Sequence, residues 1–181
     1  MRAYIALLRG INVGGHRKVL MADLRKLMED QGFSNVVSYI QTGNLAFDSD
    51  KIKDAVEISK IIEIAIYDKY AFEVPCIVRA SETISKTIEN NPYVKQGITD
   101  PARLCVSFLK EAPLEEALAK VNEFKFDPDL FEIIDEDVFI YCSKKYHEIK
   151  ISNQFLEKNL KVDVSSRNWK TVHKLLELAN K

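Results

Sequence analysis

Residues 6–47 read ALLRGINVGGHRKVLMADLRKLMEDQGFSNVVSYIQTGNLAF, and two changes of hydrophobic period inside this stretch decide the fold. Residues 2 to 9 form an unbroken apolar run of strand length, which predicts a buried strand. Past the glycine-rich Arg9-Gly10-Ile11-Asn12-Val13-Gly14-Gly15-His16-Arg17-Lys18 segment, Leu20, Leu24, Leu27 and Met28 recur at helical spacing. Gly32 stands where a left-handed helix cap is needed. The period then falls to two: Val36–Gln41 and Leu45–Asp48 alternate about Thr42-Gly43-Asn44, where Gly43 and Asn44 are expected to take positive φ in a hairpin turn. Strand, helix and hairpin in this order open a βαββαβ unit.

The pattern continues along the chain. A helix over 52–70 carries Ile52, Val56, Ile58, Ile61, Ile62, Ala65 and Ile66 on more than half its circumference, which predicts burial from two sides; Asp48, Ser49 or Asp50 are its expected caps. Val74, Cys76 and Val78 alternate as a strand beginning near Pro75, and Ser81 caps a short helix that Asn91-Pro92 ends. The second half repeats the order. It has a strand over 103–110, a helix opened by Pro113 with Leu114, Ala117, Leu118 and Val121, and a hairpin of 131–134 with 138–142 about Asp135-Glu136-Asp137. A helix over 149–160, a short strand at 162–164 and a terminal helix with Trp169, Val172, Leu176 and Ala179 on its stripe, capped by Ser166 or Asn168, complete it. The expected fold is α+β, two tandem ferredoxin-like (βαββαβ) units with mainly antiparallel sheets and helices packed on one face, divided at 1–100 and 101–181. No repeat is visible residue by residue.

Composition narrows the function classes. The chain has 181 residues, 46% apolar and 29% charged, with six glycines and five prolines, so it buries a sizeable core and is neither disordered nor collagen-like. Its formal net charge of −1 means that nucleic acid, as a partner, is not favoured by the whole-molecule field and needs a local basic patch. The opening apolar run is too short for a signal peptide and no later run reaches membrane length, which predicts a cytoplasmic protein with no membrane partner. Cys76, Cys105 and Cys142 are far apart in apolar, strand-like settings and predict reduced, buried thiols rather than a disulfide or metal framework. No metal is expected, and no cofactor motif is present: the Gly10–Gly15 loop lacks both the Gly-Lys-Ser/Thr ending of a phosphate-cradling loop and the dinucleotide spacing.

Candidate ligand residues gather at strand ends. Gly10, Gly14 and Gly15 serve either turn geometry alone or the presentation of backbone amides to an anion, with Arg9, Asn12, His16, Arg17 and Lys18 beside them. Tyr39, Gln41, Thr42 and Asn44 surround the hairpin, where they can read a base or sugar edge or simply close the turn. Arg167 and Asn168 lie at the expected start of the last helix, a place that favours anions, whereas Trp169 belongs to the core stripe. His16 is the one histidine near the loop and the only acid or base offered for catalysis, although a solvated loop residue is the commoner role. The acidic runs at Asp48-Ser49-Asp50, Asp127-Pro128-Asp129 and Asp135-Glu136-Asp137 fit turns and helix caps.

Over 6–47, in Asn91-Pro92 and in Ser165-Ser166-Arg167-Asn168-Trp169-Lys170-Thr171-Val172, the chain resembles the bacterial domain-of-unknown-function 1697 family, with serines where that family often has threonines before Arg-Asn-Trp. The resemblance supports the choice of positions and implies no activity.

Three functions are therefore open: a module binding a phosphate-bearing or other anionic ligand, nucleotide or short single-stranded nucleic acid; an enzyme on a small anionic substrate with His16 as acid or base; and an interaction or assembly module without a ligand. In a βαββαβ unit the first loop and the second-to-third-strand hairpin share one edge, so Arg9–Lys18 and Tyr39–Asn44 are expected together. Arg167 and Asn168 complete a composite site only if the two units pack in inverted orientation, which is the arrangement the sequence reading favours.

Overall fold

The structure is a computed structural model and describes residues 2–181. The chain divides into two compact units, one built from the residues up to Ser85 together with Lys174–Lys181, the other from Lys86–His173. Each holds one four-stranded antiparallel sheet, so the class is α+β.

In the first unit β1 (Arg2–Leu8), α1 (Met21–Asp30), β2 (Ser34–Tyr39), β3 (Asn44–Ser49), α2 (Ala55–Tyr70) and β4 (Cys76–Ala80) follow in order, and the sheet runs β2-β3-β1-β4. Alternation puts Tyr4, Ala6 and Leu8 of β1 opposite Phe47, Leu45 and Cys76, Val78, Ala80, on the face where Leu24 and Met28 of α1 and Ile58, Ile62 and Ile66 of α2 pack. The central strand is buried on its other face too, at Ile5 and Leu7, which explains the unbroken apolar run of β1.

α3 (Ser81–Glu89) and α4 (Pro92–Lys95) follow, the latter capped by Asn91, whose Oδ1 accepts from the amides of Tyr93 and Val94. The second unit continues through β5 (Leu104–Leu109), α5 (Glu115–Asn122), β6 (Leu130–Ile134), β7 (Asp137–Tyr141), α6 (Asn153–Leu160) and β8 (Val164–Asn168), with strand order β6-β7-β5-β8. Its helix-side core joins Cys105, Leu109, Val138, Ile140 and Val164 to Val121, Leu156 and Leu160. The last helix is α7 (Trp169–Ala179).

Several expectations need correction. Leu20 is the N-cap residue of α1 and 71% exposed, and Leu114 is likewise an exposed residue just ahead of its helix, so neither joins a buried stripe. α2 starts three residues later than the apolar pattern, after Ile52, because Asp54 is its cap and accepts from the amides of Val56 and Glu57. The Ser49 hydroxyl instead donates to the Ile52 carbonyl. Val56, Ile64 and Tyr67 are exposed, so α2 buries one face rather than two. α6 is shorter than its pattern, beginning after Ser152, whose hydroxyl accepts from the Phe155 amide. The final strand runs to Asn168, because Ser165, Ser166 and Arg167 pair with Phe108, Ser107 and Val106 of β5. Asn168, not Ser166, caps α7, accepting at Oδ1 from the Thr171 amide at 2.8 Å.

Candidate functional site

The first loop and the hairpin of the first unit meet at one edge of its sheet. Where β1 ends, the Leu8 amide donates to the Gly43 carbonyl at 2.8 Å and the Arg9 amide to the Pro75 carbonyl at 2.9 Å. The chain then leaves the sheet as a small finger. The His16 amide donates to the Val13 carbonyl at 3.2 Å across Gly14 and Gly15, both at positive φ (60° and 79°), the arrangement of a tight two-residue turn. One step further out, the Asn12 amide donates to the Arg17 carbonyl at 3.2 Å. The turn geometry thus accounts for Gly14 and Gly15.

Asn12 fastens the finger. Its Nδ2 donates to the Val19 carbonyl (2.9 Å) and the Gln41 carbonyl (2.8 Å), while its Oδ1 accepts from the Val19 amide (2.9 Å). A single half-buried amide therefore ties the loop start, the approach to α1 and the hairpin turn together. Gly43 allows the same closeness by having no side chain: a Cβ there would stand 2.7 Å from the Leu8 Cβ and 3.1 Å from two carbons of Ile11. Asn44, fully buried, closes the turn through Nδ2 to the Tyr39 carbonyl (3.1 Å) and the Thr42 hydroxyl (3.0 Å). It begins β3 and does not take positive φ; Ile40 does, at 51°, together with Gly43 at 78°.

The finger leaves Gly10, Val13, Gly14, Gly15, His16, Arg17 and Lys18 exposed, with Gln41 exposed and Arg9 and Tyr39 half-buried nearby. Arg17 folds back toward the loop start, its Nη1 lying 3.3 Å from where a Cβ of Gly10 would be. Three large apolar side chains stand out beside these cations: Val13 (59% exposed), Leu20 (71%) and Ile40 (51%). Each is the chain neighbour of a position that Asn12 occupies or holds, at 12, 19 and 41. The apolar part of this edge was missed in the sequence, where Leu20 matched the helical period and Ile40 the strand period. The available signal was a β-branched residue directly before Gln41-Thr42-Gly43, against turn preference.

No hydrogen-bonding partner orients the His16 imidazole among the described residues. Nor does any group of three or more His, Cys, Asp or Glu among them suit a metal ion. Arg167 sits within β8 rather than at a helix start, and its Nη1 donates to the Ser165 hydroxyl (3.0 Å) and the Ser166 carbonyl (2.8 Å). Asn168 is spent as the cap of α7, and Trp169 is buried with its ring edge-on to His173. All three cysteines are buried thiols. Cys105 lies within hydrogen-bond reach of Cys142, and that bond, with burial, raises its thiol above the ordinary value.

A family profile described as "Protein of unknown function (DUF1697)" matches residues 1–139, a span that contains the whole finger and hairpin. The chain belongs to the DUF1697 family. The Ser165–Val172 stretch of this DUF1697 protein lies beyond the matched residues. Among solved structures, the chain is similar to the conserved bacterial protein SP0830 from Streptococcus pneumoniae, with 27% identity, a TM-score of 0.75 and 98% of each chain covered. Comparison with curated proteins gave no match. Among the described residues no helix is long and apolar enough to cross a membrane.

Proposed function

We propose that both units of this DUF1697 protein are ferredoxin-like βαββαβ modules and that the first binds a phosphate-bearing ligand, a nucleotide or the end of a short single strand, at the finger and hairpin. The strand orders support the first part: each unit places its first and third strands in the middle and its second and fourth at the edges. The observation that carries the second part is the fastening of a basic finger by Asn12. A loop held by three hydrogen bonds from one side chain presents Arg9, His16, Arg17 and Lys18 in a fixed neighbourhood, so less ordering entropy opposes binding. Arginine suits phosphate by its two-pronged geometry, and Lys18 adds a point charge. The exposed Val13, Leu20 and Ile40 favour a ligand with an apolar face beside its phosphate, which a base and sugar supply and inorganic phosphate does not. With the glycines explained by turn geometry, side-chain cations rather than loop amides carry the anion.

The test is isothermal titration of the full chain with inorganic phosphate, adenosine monophosphate and a short single-stranded oligonucleotide at two salt concentrations. Nucleotide or oligonucleotide should bind more tightly than phosphate, with affinity falling as salt rises. Arg17→Ala combined with Lys18→Ala should weaken binding about tenfold or more, the scale of losing charge-assisted bonds, without lowering thermal stability. Unchanged affinity in that double variant would remove the finger as the site.

A further inference from the structure

The second unit has a cavity of about 310 Å³ between the end of α5 and β6, lined by Phe124, Phe126 and Phe131 together with Lys125, Asp127 and Asp129. Its size is at the lower end of the range for small-molecule sites. The aromatic wall is fixed from behind: Phe155 of α6 meets Phe124 and Phe126 edge to face at 5.1 and 4.9 Å, and these two rings lie within 7° of parallel. The polar wall is fixed as well. The Asp129 amide donates to the Phe126 carbonyl at 3.0 Å, and Asp129 Oδ1 accepts from the amide and hydroxyl of Ser143 at 2.8 and 2.6 Å. Yet Phe124 remains 39% exposed and Leu130 41%, so apolar surface stays uncovered in a region whose backbone is well tied.

Charge and ring electronics agree on the chemistry that this lining suits. The faces of aromatic rings carry negative potential and attract cations, most strongly those that are weakly hydrated and flat. Two carboxylates against one ammonium give the lining a negative balance. No hydrogen bond or ion pair engages Asp127 or Lys125 among the described residues, so the Asp127 carboxylate is available to a ligand, while a flexible lysine stem can turn its charge outward to water. We propose that this cavity binds a small flat organic cation, an amidinium or a protonated nitrogen heterocycle, with its plane against the Phe124 and Phe126 rings and its positive edge toward Asp127. The site lies wholly within the second unit and is independent of the basic finger.

The experiment is titration of the full chain, followed by calorimetry and by shifts of the amide resonances of 122–131, with benzamidinium, benzoate and benzyl alcohol as probes. Benzamidinium should bind at least tenfold more tightly than benzoate, with benzyl alcohol between them. Asp127→Asn should weaken benzamidinium about fivefold or more and leave benzyl alcohol unchanged, because a lost charge interaction is felt by the cation alone. Phe124→Leu keeps an apolar side chain but removes the ring face, and should weaken benzamidinium more than benzyl alcohol. Benzoate binding as tightly as benzamidinium, an Asp127→Asn variant with unaltered benzamidinium affinity, or no saturable binding by about 10 mM probe would each overturn the proposal.

Discussion

The two units use the same joints and differ in what is hung on them. In the first, the Leu8 and Arg9 amides donate to Gly43 and Pro75; in the second, the Leu109 and Lys110 amides donate to Glu136 and Asp163, at 2.9 Å each. Glu63 of α2 accepts from the Cys76 amide at the start of β4, as Glu157 of α6 accepts from the Val164 amide at the start of β8. Both helices end on a left-handed residue, Ala71 and Lys161. Against this sameness, the second unit goes from β5 to α5 through the short Lys110–Leu114 link, whereas the first inserts the finger between β1 and α1. An elaboration that one of two similar units carries and the other lacks is the place to look for a role other than folding.

The turn residues at the shared joint carry the largest expected effect. Gly43 has Ile11 of the finger packed over it, while its counterpart Glu136 carries a full side chain. Gly43→Ala combines a Cβ at 2.7 Å from the Leu8 Cβ with positive φ, and should destabilise by about 2–4 kcal/mol from overpacking and backbone strain. Chemical denaturation would measure it. A loss below about 0.5 kcal/mol, the level of an ordinary surface change, would mean the finger can lift away and is not part of the edge. Next in size, Asn12→Ala removes the three bonds that hold the finger, and should cost about 1–3 kcal/mol. Amide exchange should rise at 12–19 and at 41 and remain unchanged throughout the second unit; exchange confined to 13–16 would show that Asn12 holds only its own turn.

What the sequence disclosed follows from where each signal originates. Strand and helix order came from periodicity, which local chemistry dictates, and the shared edge of finger and hairpin followed from strand direction. The likeness of the two units is legible in the sequence only as element order, because the matching joints are main-chain amides and carbonyls joined across the fold; Leu8 and Leu109, or Gly43 and Glu136, need share no side-chain chemistry to do the same work. Asn12 and Asn44 looked like ligand groups because an amide reads the same in a sequence whether it faces a ligand or the backbone, and here both are engaged by backbone. Nothing local distinguishes Ser165-Ser166-Arg167 from a helix cap, whereas pairing with β5 makes it strand. The aromatic cavity left no linear signature, since Phe155 joins Phe124 and Phe126 only through the packing of α6 on α5.

Alkaline pH should lower stability through raised groups in both units. In the second, burial raises the Tyr146 hydroxyl above its ordinary value, outweighing its hydrogen bonds to Ser166 and Ser107, and Cys105 is raised by its bond to Cys142 and by burial. The Ser107 and Ser166 hydroxyls are 2.5 Å apart, Tyr146 donates to Ser166 at 2.8 Å, and Ser166 is bonded in turn to Asn153, so the neutral phenol belongs to a half-buried network. A group whose folded value is raised binds more protons folded than unfolded through the window between the two values. Its stabilisation is complete below the unfolded value and declines as pH rises. The decline should therefore be felt above 10.0 through the phenol, removing at most about 1.4 kcal/mol for each pH unit inside its window. Tyr70 of the first unit is raised by burial in the same direction, so Tyr146→Phe is the control. That variant should flatten the slope above 10.0 in unfolding experiments, and an unaltered slope would show that Tyr146 does not contribute to it.

The smallest effect concerns the first residue after the second strand of each unit, Ile40 in one and Asp135 in the other, both at left-handed φ (51° and 53°). Aspartate tolerates that conformation through its short polar side chain, but a β-branched residue strains against its own carbonyl. Ile40 is 51% exposed, so little burial offsets the strain. Ile40→Asn should then stabilise the protein by about 0.5–1 kcal/mol, while Asp135→Asn stays within about 0.5 kcal/mol of the parent. A strained apolar residue beside a basic finger has a reason to persist if it contacts the apolar face of a ligand, because strain at a binding edge can be offset when the ligand arrives. The same Ile40→Asn variant should therefore bind nucleotide more weakly even though it unfolds at higher denaturant. If stability rises and affinity is unchanged, the apolar trio plays no part in binding and the cations act alone. If stability falls, Ile40 is anchored by packing, and the contrast between the two turns disappears.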